Sequence, residues 1–158
     1  MISKLPPNKL PGTLRLIGRV IVDHPAWQQR PDGTTWCNHA VDFVARLYGY
    51  NGFSGERWPL LANDMHRHMV ESDQWQEIAL DEIKPYLLHG CLIVTASLGE
   101  ENGHVCVPMP VPFEYSGNYR AEVPVYANVG PVKYTGFRHL GWCIGPERSP
   151  KHFLYTGA

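Results

Sequence analysis

The chain has 158 residues, a length that predicts one domain with a core of its own. Its composition, 44% hydrophobic and 18% charged, is typical of a soluble globular protein. The net charge of -1 comes without a basic stripe or an acidic tail, which argues against nucleic acid and strongly charged partners. We expect a single domain over residues 1–158, with its core at about 13–145.

The N-terminal stretch "MISKLPPNKLPGTLRLIGRV" has no apolar run of signal-peptide length and contains three prolines. This pattern predicts neither a signal peptide nor a membrane-spanning helix. We therefore expect synthesis in the cytoplasm and no membrane partner. Action in another compartment would require release or delivery of the protein by other means.

The first half of the chain is predicted to be largely helical. Residues 13–22 come first and are predicted as a strand or an extended arm. Residues 37–50 then have the clearest helical periodicity, with apolar side chains at Cys37, Ala40, Val41, Val44, Leu47 and Tyr48. Thr34 or Thr35 is the candidate N-cap, and Gly49 lies where the helix should end. A second, shorter helix is predicted at 61–70.

The second half is predicted to consist mainly of strands. Residues 75–80 form a short strand, and Pro85 limits the helical turn at 81–88. From Gly90 onward four stretches have strand character: "CLIVTASL", "HVCVPM", "VPVYANVG" and "FRHLGWCIG". Helices first and strands later predict an α+β fold, in which the main helix packs on an antiparallel sheet.

The four cysteines differ in their predicted roles. They form no CxxC pair and have no zinc-site spacing, so free thiols are expected in a reducing compartment. Cys91, Cys106 and Cys143 lie in apolar, strand-like runs and are predicted to be structural. Cys37 opens a helix, where the backbone N–H groups and the helix dipole stabilise a thiolate. It is therefore the candidate nucleophile, with a core thiol as the alternative.

A thiolate nucleophile needs a base, and His104 begins a strand directly after the turn "GEENG". His104 and Cys106 share one strand face, so we expect His104 to face Cys37 if Cys106 packs beneath the helix. Asn128, at the end of the next strand, can accept a hydrogen bond from the far ring nitrogen of His104. A turn role for Asn128, or Glu122 as the third member, stays open. This Cys-His-Asn chemistry requires neither a metal nor another cofactor.

These stretches resemble the papain-like amidohydrolases of bacterial cell walls, the group that holds the NlpC/P60 and CHAP cysteine peptidases and related phage lysins. The matching stretches are "TTWCNHAVDFVARLYG", "GCLIVTASLGEENGHVCV" and "VYANVG", together with "LANDM" followed by Trp75. The resemblance implies a papain-like fold and cleavage of an amide bond in the peptide part of peptidoglycan. It also implies action in the periplasm or cell wall.

No separate cell-wall-binding module is apparent in the sequence. A single catalytic domain suits a lysin of a Gram-negative phage or an interbacterial amidase effector. We expect a monomer, and an effector would have an inhibitor or immunity protein as a partner.

Three further residues are candidates for substrate binding. Trp36 precedes the nucleophile and could form a cleft wall, although an aromatic side chain there is more often part of the packing. Asn63 and Asp64 could line the cleft. Asp64 and His68 share a helix face at i and i+4, but without a third ligand a solvated face is the better interpretation than a metal site.

Two rival functions remain open. One is an acyltransferase or a protein deamidase of the same fold, which a strongly acidic or basic substrate groove would favour. The other is a non-enzymatic binding module that retains the fold. That module would have a buried Cys37, or a His104 beyond hydrogen-bonding reach of it.

Overall fold

Five α-helices and eight β-strands form the part of the chain that the computed structural model describes, residues 6–157. The first five residues and the last residue of the expected 1–158 domain lie outside this range. The helices are α1 (Pro11–Asp23), α2 (Cys37–Leu47), α3 (Ala62–Glu71), α4 (Ile83–Leu88) and α5 (Leu140–Cys143). Among residues 6–157, no helix has both the length and the apolar character needed to cross a membrane.

Six of the strands form one antiparallel sheet, which confirms the predicted α+β class. The eight strands are β1 (Trp75–Ile78), β2 (Ile93–Ser97), β3 (His104–Pro108), β4 (Glu114–Ser116), β5 (Ala121–Val123), β6 (Val125–Asn128), β7 (Gly136–His139) and β8 (Lys151–Tyr155). Their order across the large sheet is β1-β8-β2-β3-β6-β7, and β4 and β5 form a separate two-stranded pair. The helices α2 and α3 pack on β3 and β2, as the amphipathic pattern of residues 37–50 predicts.

The strand β3 pairs with β6 along only part of its length. β3 pairs with β2 from His104 to Cys106. It pairs with β6 only at Val107 and Pro108, so the two strands are not joined where β3 begins. The start of β3 therefore has an open edge toward the end of β6.

The N-terminal element α1 is a helix, so the prediction of a strand or extended arm at 13–22 is wrong. Its buried residues, Leu14, Gly18, Ile21 and Val22, follow helical and not alternating spacing. Pro11 occupies the first turn, where its missing N–H is no loss. The isoleucines and valines of this stretch favour strands in isolation, but burial against β6 and β7 outweighs that propensity.

We expect Leu14→Ala to lower the free energy of unfolding by about 2–5 kcal/mol, because it leaves a cavity where α1 packs on the sheet. The Leu14 side chain is fully buried, whereas Leu16 on the same helix is 65% exposed. Leu16→Ala is the matched control and should change stability by no more than about 0.5 kcal/mol. Urea unfolding of the two variants measures both values, and equal losses would contradict the packing described here.

The C-terminal strand β8 was not predicted. It lies between β1 and β2, and its residues Phe153 and Leu154 are buried. The expected core of 13–145 is therefore too short at its C-terminal end. The predicted strand "FRHLGWCIG" is also only partly correct, because the chain leaves β7 at His139 and turns into α5.

Candidate active site

Cys37 is the first residue of α2, as the helical pattern predicts. The residue before it, Trp36, makes no side-chain hydrogen bond to the helix. Neither threonine acts as the expected cap: the hydroxyl of Thr34 donates to Asp32 Oδ1 at 2.6 Å instead. The first N–H groups of the helix therefore have no capping side chain, and the N–H of Asn38 is one of the groups that lower the pKa of the Cys37 thiol.

A second backbone donor to this sulfur comes from the open edge of β3. The N–H of Met109 donates to the carbonyl of Val125 on β6, so alternate residues of β3 direct their N–H groups toward β6. Val105 belongs to this set but lies beyond the paired region, and its N–H is a second backbone group that lowers the pKa of Cys37. Cys37 therefore lies near the unpaired edge at the start of β3.

His104 begins β3 and is half-buried, and it is close enough to Cys37 for a hydrogen bond between the two to shift both pKa values. Its Nε2 lies 2.7 Å from Oδ1 of Asn128 at the end of β6. This leaves Nδ1 as the ring nitrogen that faces the thiol. The structure thus brings together the three residues named from the sequence, in the order thiol, imidazole and amide.

The orientation of Asn128 fixes the state of the imidazole. Its Nδ2 donates to the carbonyl oxygen of Tyr134 at 3.0 Å, so Oδ1 faces His104. Because Oδ1 can only accept, Nε2 must carry a proton, and Nδ1 is free to exchange its proton with the thiol. Asn128 is buried, and the turn role considered for it does not account for these two bonds. The alternative third member, Glu122, is exposed on β5 and lines a different pocket.

The pair of Cys37 and His104 favours separated charges. Burial alone would raise the pKa of the Cys37 thiol, but the hydrogen bond and charge of His104 and the two backbone N–H groups lower it overall. For His104, burial opposes the charged form, whereas the bonds to Cys37 and Asn128 raise its pKa to about 9. A lowered pKa of the thiol and a raised pKa of the imidazole both favour transfer of the proton from Cys37 to His104.

The predicted place of Cys106 is wrong, although His104 lies close to Cys37 as predicted. Cys106 does not pack beneath α2. It lies with Tyr126 and Leu140 in a second apolar cluster, whereas Val105 and Val107 pack in the main core with α2. His104 reaches Cys37 because the thiol is at the open edge of β3, and not because the helix covers the face that carries Cys106.

We expect Asn128→Ala to slow alkylation of Cys37 by iodoacetamide at neutral pH by about 10–100-fold, the effect typical of losing an orienting hydrogen bond. Without the Oδ1 acceptor the His104 ring can rotate or change tautomer. Asn128→Asp keeps an acceptor oxygen and should preserve most of the rate. Equal rates in the wild type and in Asn128→Ala, with unchanged circular dichroism, would rule out an orienting role.

A cavity of about 620 Å³ opens beside Cys37. Its walls come from the loop before α2, the start of α3 and the loop before β3. Four carboxylates line it, from Asp32, Asp64, Glu100 and Glu101, against one guanidinium, that of Arg67. Arg67 Nη1 is 2.8 Å from Asp64 Oδ1, so the cavity has an excess of negative charge.

Asn63 lines this cavity, but its amide is already bonded. Oδ1 accepts from the N–H of Gly99 at 3.1 Å, and Nδ2 donates to the carbonyl of Gly99 at 2.9 Å. Gly103 lies so close that an added Cβ would be 2.4 Å from Asn63 Oδ1. Asn63 therefore holds the loop that leads into His104, and its own amide is not free for substrate.

The other two candidate binding residues, Asp64 and Trp36, differ in whether they line the cavity. Asp64 lines the cavity and is half-exposed, so it can meet a substrate. Trp36 does not line it: the Arg30 guanidinium stacks at 3.5 Å from its ring, and His39 packs on it edge-on. Trp36 therefore has a packing role.

Each of the two residues considered as metal ligands interacts with a different neighbouring side chain. Asp64 is paired with Arg67, and His68 is hydrogen-bonded to Tyr50. Within residues 6–157 no three His, Cys, Asp or Glu side chains are placed so that together they could hold a metal ion.

Several parts of the site had no signal in the sequence. The Val105 N–H and the Tyr134 carbonyl are backbone groups, which any residue type supplies. Glu100 and Glu101 lie in a stretch predicted only as a turn. Comparison with known proteins adds no further assignment, since no protein-family model matches the chain and no curated protein is significantly similar to it.

Proposed function

We propose that this chain is a papain-like cysteine amidohydrolase that cleaves an amide bond in the peptide part of peptidoglycan. The observation that carries the reaction type is the contact of Cys37, at an uncapped helix start, with His104, whose far nitrogen is held by Asn128. The peptidoglycan substrate rests on the resemblance of the sequence motifs to cell-wall amidohydrolases. The proposed site of action is the periplasm or cell wall, after release or delivery.

The proposed reaction uses the charge-separated pair directly. The Cys37 thiolate attacks the amide carbonyl, and a C–S bond forms while negative charge develops on the oxygen. The Cys37 N–H at the helix start is one donor to this oxygen. Collapse breaks the C–N bond as His104 gives its Nδ1 proton to the leaving amine. Water then attacks the thioester, His104 takes its proton, and the thiolate leaves.

The negative excess of the cavity supports a second candidate. A strongly charged groove is the feature that would favour an acyltransferase or a deamidase acting on protein, and four carboxylates against one guanidinium make such a groove. Its substrate would have a basic surface next to the reacting amide. The same charges would also attract an amino group of a peptidoglycan stem, so the groove does not by itself separate the two substrates.

A binding module without activity is less well supported. Cys37 is only 7% exposed, as that alternative requires, but the residue lines a cavity of about 620 Å³. His104 lies within hydrogen-bonding reach of it, which counts against that alternative.

The test of this proposal is purified protein against purified Gram-negative sacculi, with released fragments identified by mass spectrometry. We expect fragments that end in a new carboxyl or amine, and their masses name the bond. Protein treated beforehand with iodoacetamide is the control and should release none. Folded protein that releases nothing from sacculi but deamidates or acylates a basic protein would replace the proposal with the second candidate.

A further inference from the structure

The face of α2 opposite to Val41 and Val44 borders a second cavity, of about 270 Å³. This volume is near the lower end of the range for small-molecule sites. We call it the Trp58 cavity. Trp27 and the loop 54–59 form two of its walls. The wall from α2 consists of His39, Asp42, Phe43 and Arg46, which share one helix face. Aromatic rings and hydrogen-bonding groups thus meet in one concave place, as in most sites for small organic ligands.

The exposed tryptophan of this cavity is held in place by its loop. Trp58 is 64% exposed. The N–H of Gly55 donates to the carbonyl of Trp58 at 3.1 Å, and Ser54 pairs with Pro59 as an isolated bridge. An added Cβ at Gly55 would lie 2.3 Å from the same carbonyl, so a side chain there would open the loop. The imidazole of His39 packs against the Trp58 ring, with centroids 5.6 Å apart. A fixed, exposed aromatic face is a platform on which a ligand ring can pack.

A buried carboxylate positions two polar groups in the same cavity. Asp42 is 3% exposed, and its Oδ1 accepts from the hydroxyl of Ser54 at 3.0 Å. Its Oδ2 lies 3.3 Å from Nε of Arg46. This pair uses Nε, and the Arg46 side chain is 54% exposed, so its Nη groups can donate to a ligand. Ser54 is exposed and donates its own proton to Asp42, so its oxygen can accept.

We propose that the Trp58 cavity binds one sugar ring of the glycan strand and is a saccharide subsite of the candidate amidohydrolase. One face of a pyranose ring carries C–H groups, which pack well on the ring of Trp58. Its edge carries hydroxyls that both donate and accept, as the groups of Arg46 and Ser54 require. The identity of the sugar, an N-acetylated amino sugar, rests on the proposed function.

Exposed tryptophan and arginine side chains are also common where one protein binds another. The concave shape and small volume of the Trp58 cavity favour a single sugar ring over the flat surface of a protein partner.

The Trp58 cavity and the cavity beside Cys37 lie on either side of one short segment. Pro59 lines the first cavity and Leu61 lines the second. Leu60, between them, is tied to α2, because its carbonyl accepts from Nδ2 of Asn38 at 3.1 Å. A substrate that crosses this segment would have its sugar at Trp58 and its peptide at the nucleophile.

Binding of a soluble oligomer of N-acetylglucosamine tests the proposal without cleavage of any bond. The protein is Cys37→Ala, so that the result does not depend on the nucleophile, and calorimetry gives the affinity. We expect Trp58→Ala in this background to weaken binding by about 10-fold or more, as for the loss of an aromatic anchor. Trp58→Tyr keeps a ring and should retain most of the affinity. Trp142→Ala is the matched control, because Trp142 is 57% exposed but lines a different cavity.

A kinetic comparison connects the subsite to hydrolysis. In the chain with Cys37 intact, Trp58→Ala should raise KM for a muropeptide that retains its sugar about 10-fold more than for the sugar-free stem peptide. The proposal is overturned if the oligomer does not bind at millimolar concentration, a result that would leave Trp58 as a contact for a protein partner. Equal affinities of Trp58→Ala and Trp142→Ala would also overturn it. Failure of the proposed function would look different, as saccharide binding that persists in a protein that cleaves neither substrate.

Discussion

Cys37→Ala is expected to release no fragments from sacculi above the level of a blank, a loss on the order of 10⁶-fold in kcat for a nucleophile removed from such a triad. The physical reason is the loss of the only group that can form the acyl-enzyme bond in the proposed reaction. Cys37→Ser should lose nearly as much, because a hydroxyl is a much weaker acid than a thiol and the same imidazole activates it far less. Mass spectrometry of the released material measures the loss.

The matched control is Cys143→Ser, which changes a partly exposed thiol that does not line the cavity beside Cys37 and should keep wild-type release. Alkylation gives an independent readout that needs no substrate. Iodoacetamide should modify Cys37 in preference to Cys91 and Cys106, since the pKa of Cys37 is lowered while burial raises those of Cys91 and Cys106. A Cys37 that stays unmodified in folded protein would end the enzyme interpretation, whatever the sacculi show.

His104→Gln should lower the hydrolysis rate by about 10²–10⁴-fold, the usual contribution of a general acid–base residue. It should also change the dependence of Cys37 alkylation on pH. In the wild type, the thiolate persists below pH 9.0 because its pKa is lowered from that value. In His104→Gln the imidazolium is absent, so burial dominates and alkylation should require a more alkaline pH.

The same pair sets the pH range of hydrolysis. Activity should fall at low pH as Cys37 gains a proton. It should fall again as pH rises through about 9, where His104 loses the proton that it gives to the leaving amine. Stopped assays across this range measure both limbs. An alkylation profile that is the same in His104→Gln and in the wild type would show that the imidazole does not hold the thiolate.

The positions of Cys37, His104 and Asn128 could be predicted because each follows from a periodic element or its end. The helix that begins at Cys37 has a regular apolar stripe, and β3 begins right after a turn-forming stretch. Sequence spacing does not show where two strands separate, however. The expected place of Cys106 was wrong for this reason, since the open edge between β3 and β6 depends on pairing between distant residues.

The first and last elements were predicted less well, for a different reason. In α1, isoleucine and valine suggested a strand, yet the helical spacing of Leu14, Gly18 and Ile21 decides the element once the sheet is present to cover it. The strand β8 is short, and its place between β1 and β2 is fixed by long-range pairing. The local sequence pattern does not indicate which distant strands such a segment pairs with.

The uncapped start of α2 has a consequence for how far this protein can be stabilised. A serine, threonine, asparagine or aspartate at an N-cap position commonly adds about 1 kcal/mol to stability. Trp36 at that position forgoes this gain. A capping oxygen would accept the same N–H groups that face the Cys37 sulfur. Variants selected for thermal stability alone would thus tend to acquire a polar residue at position 36 and a less reactive thiol, a trade-off between stability and activity located at one residue.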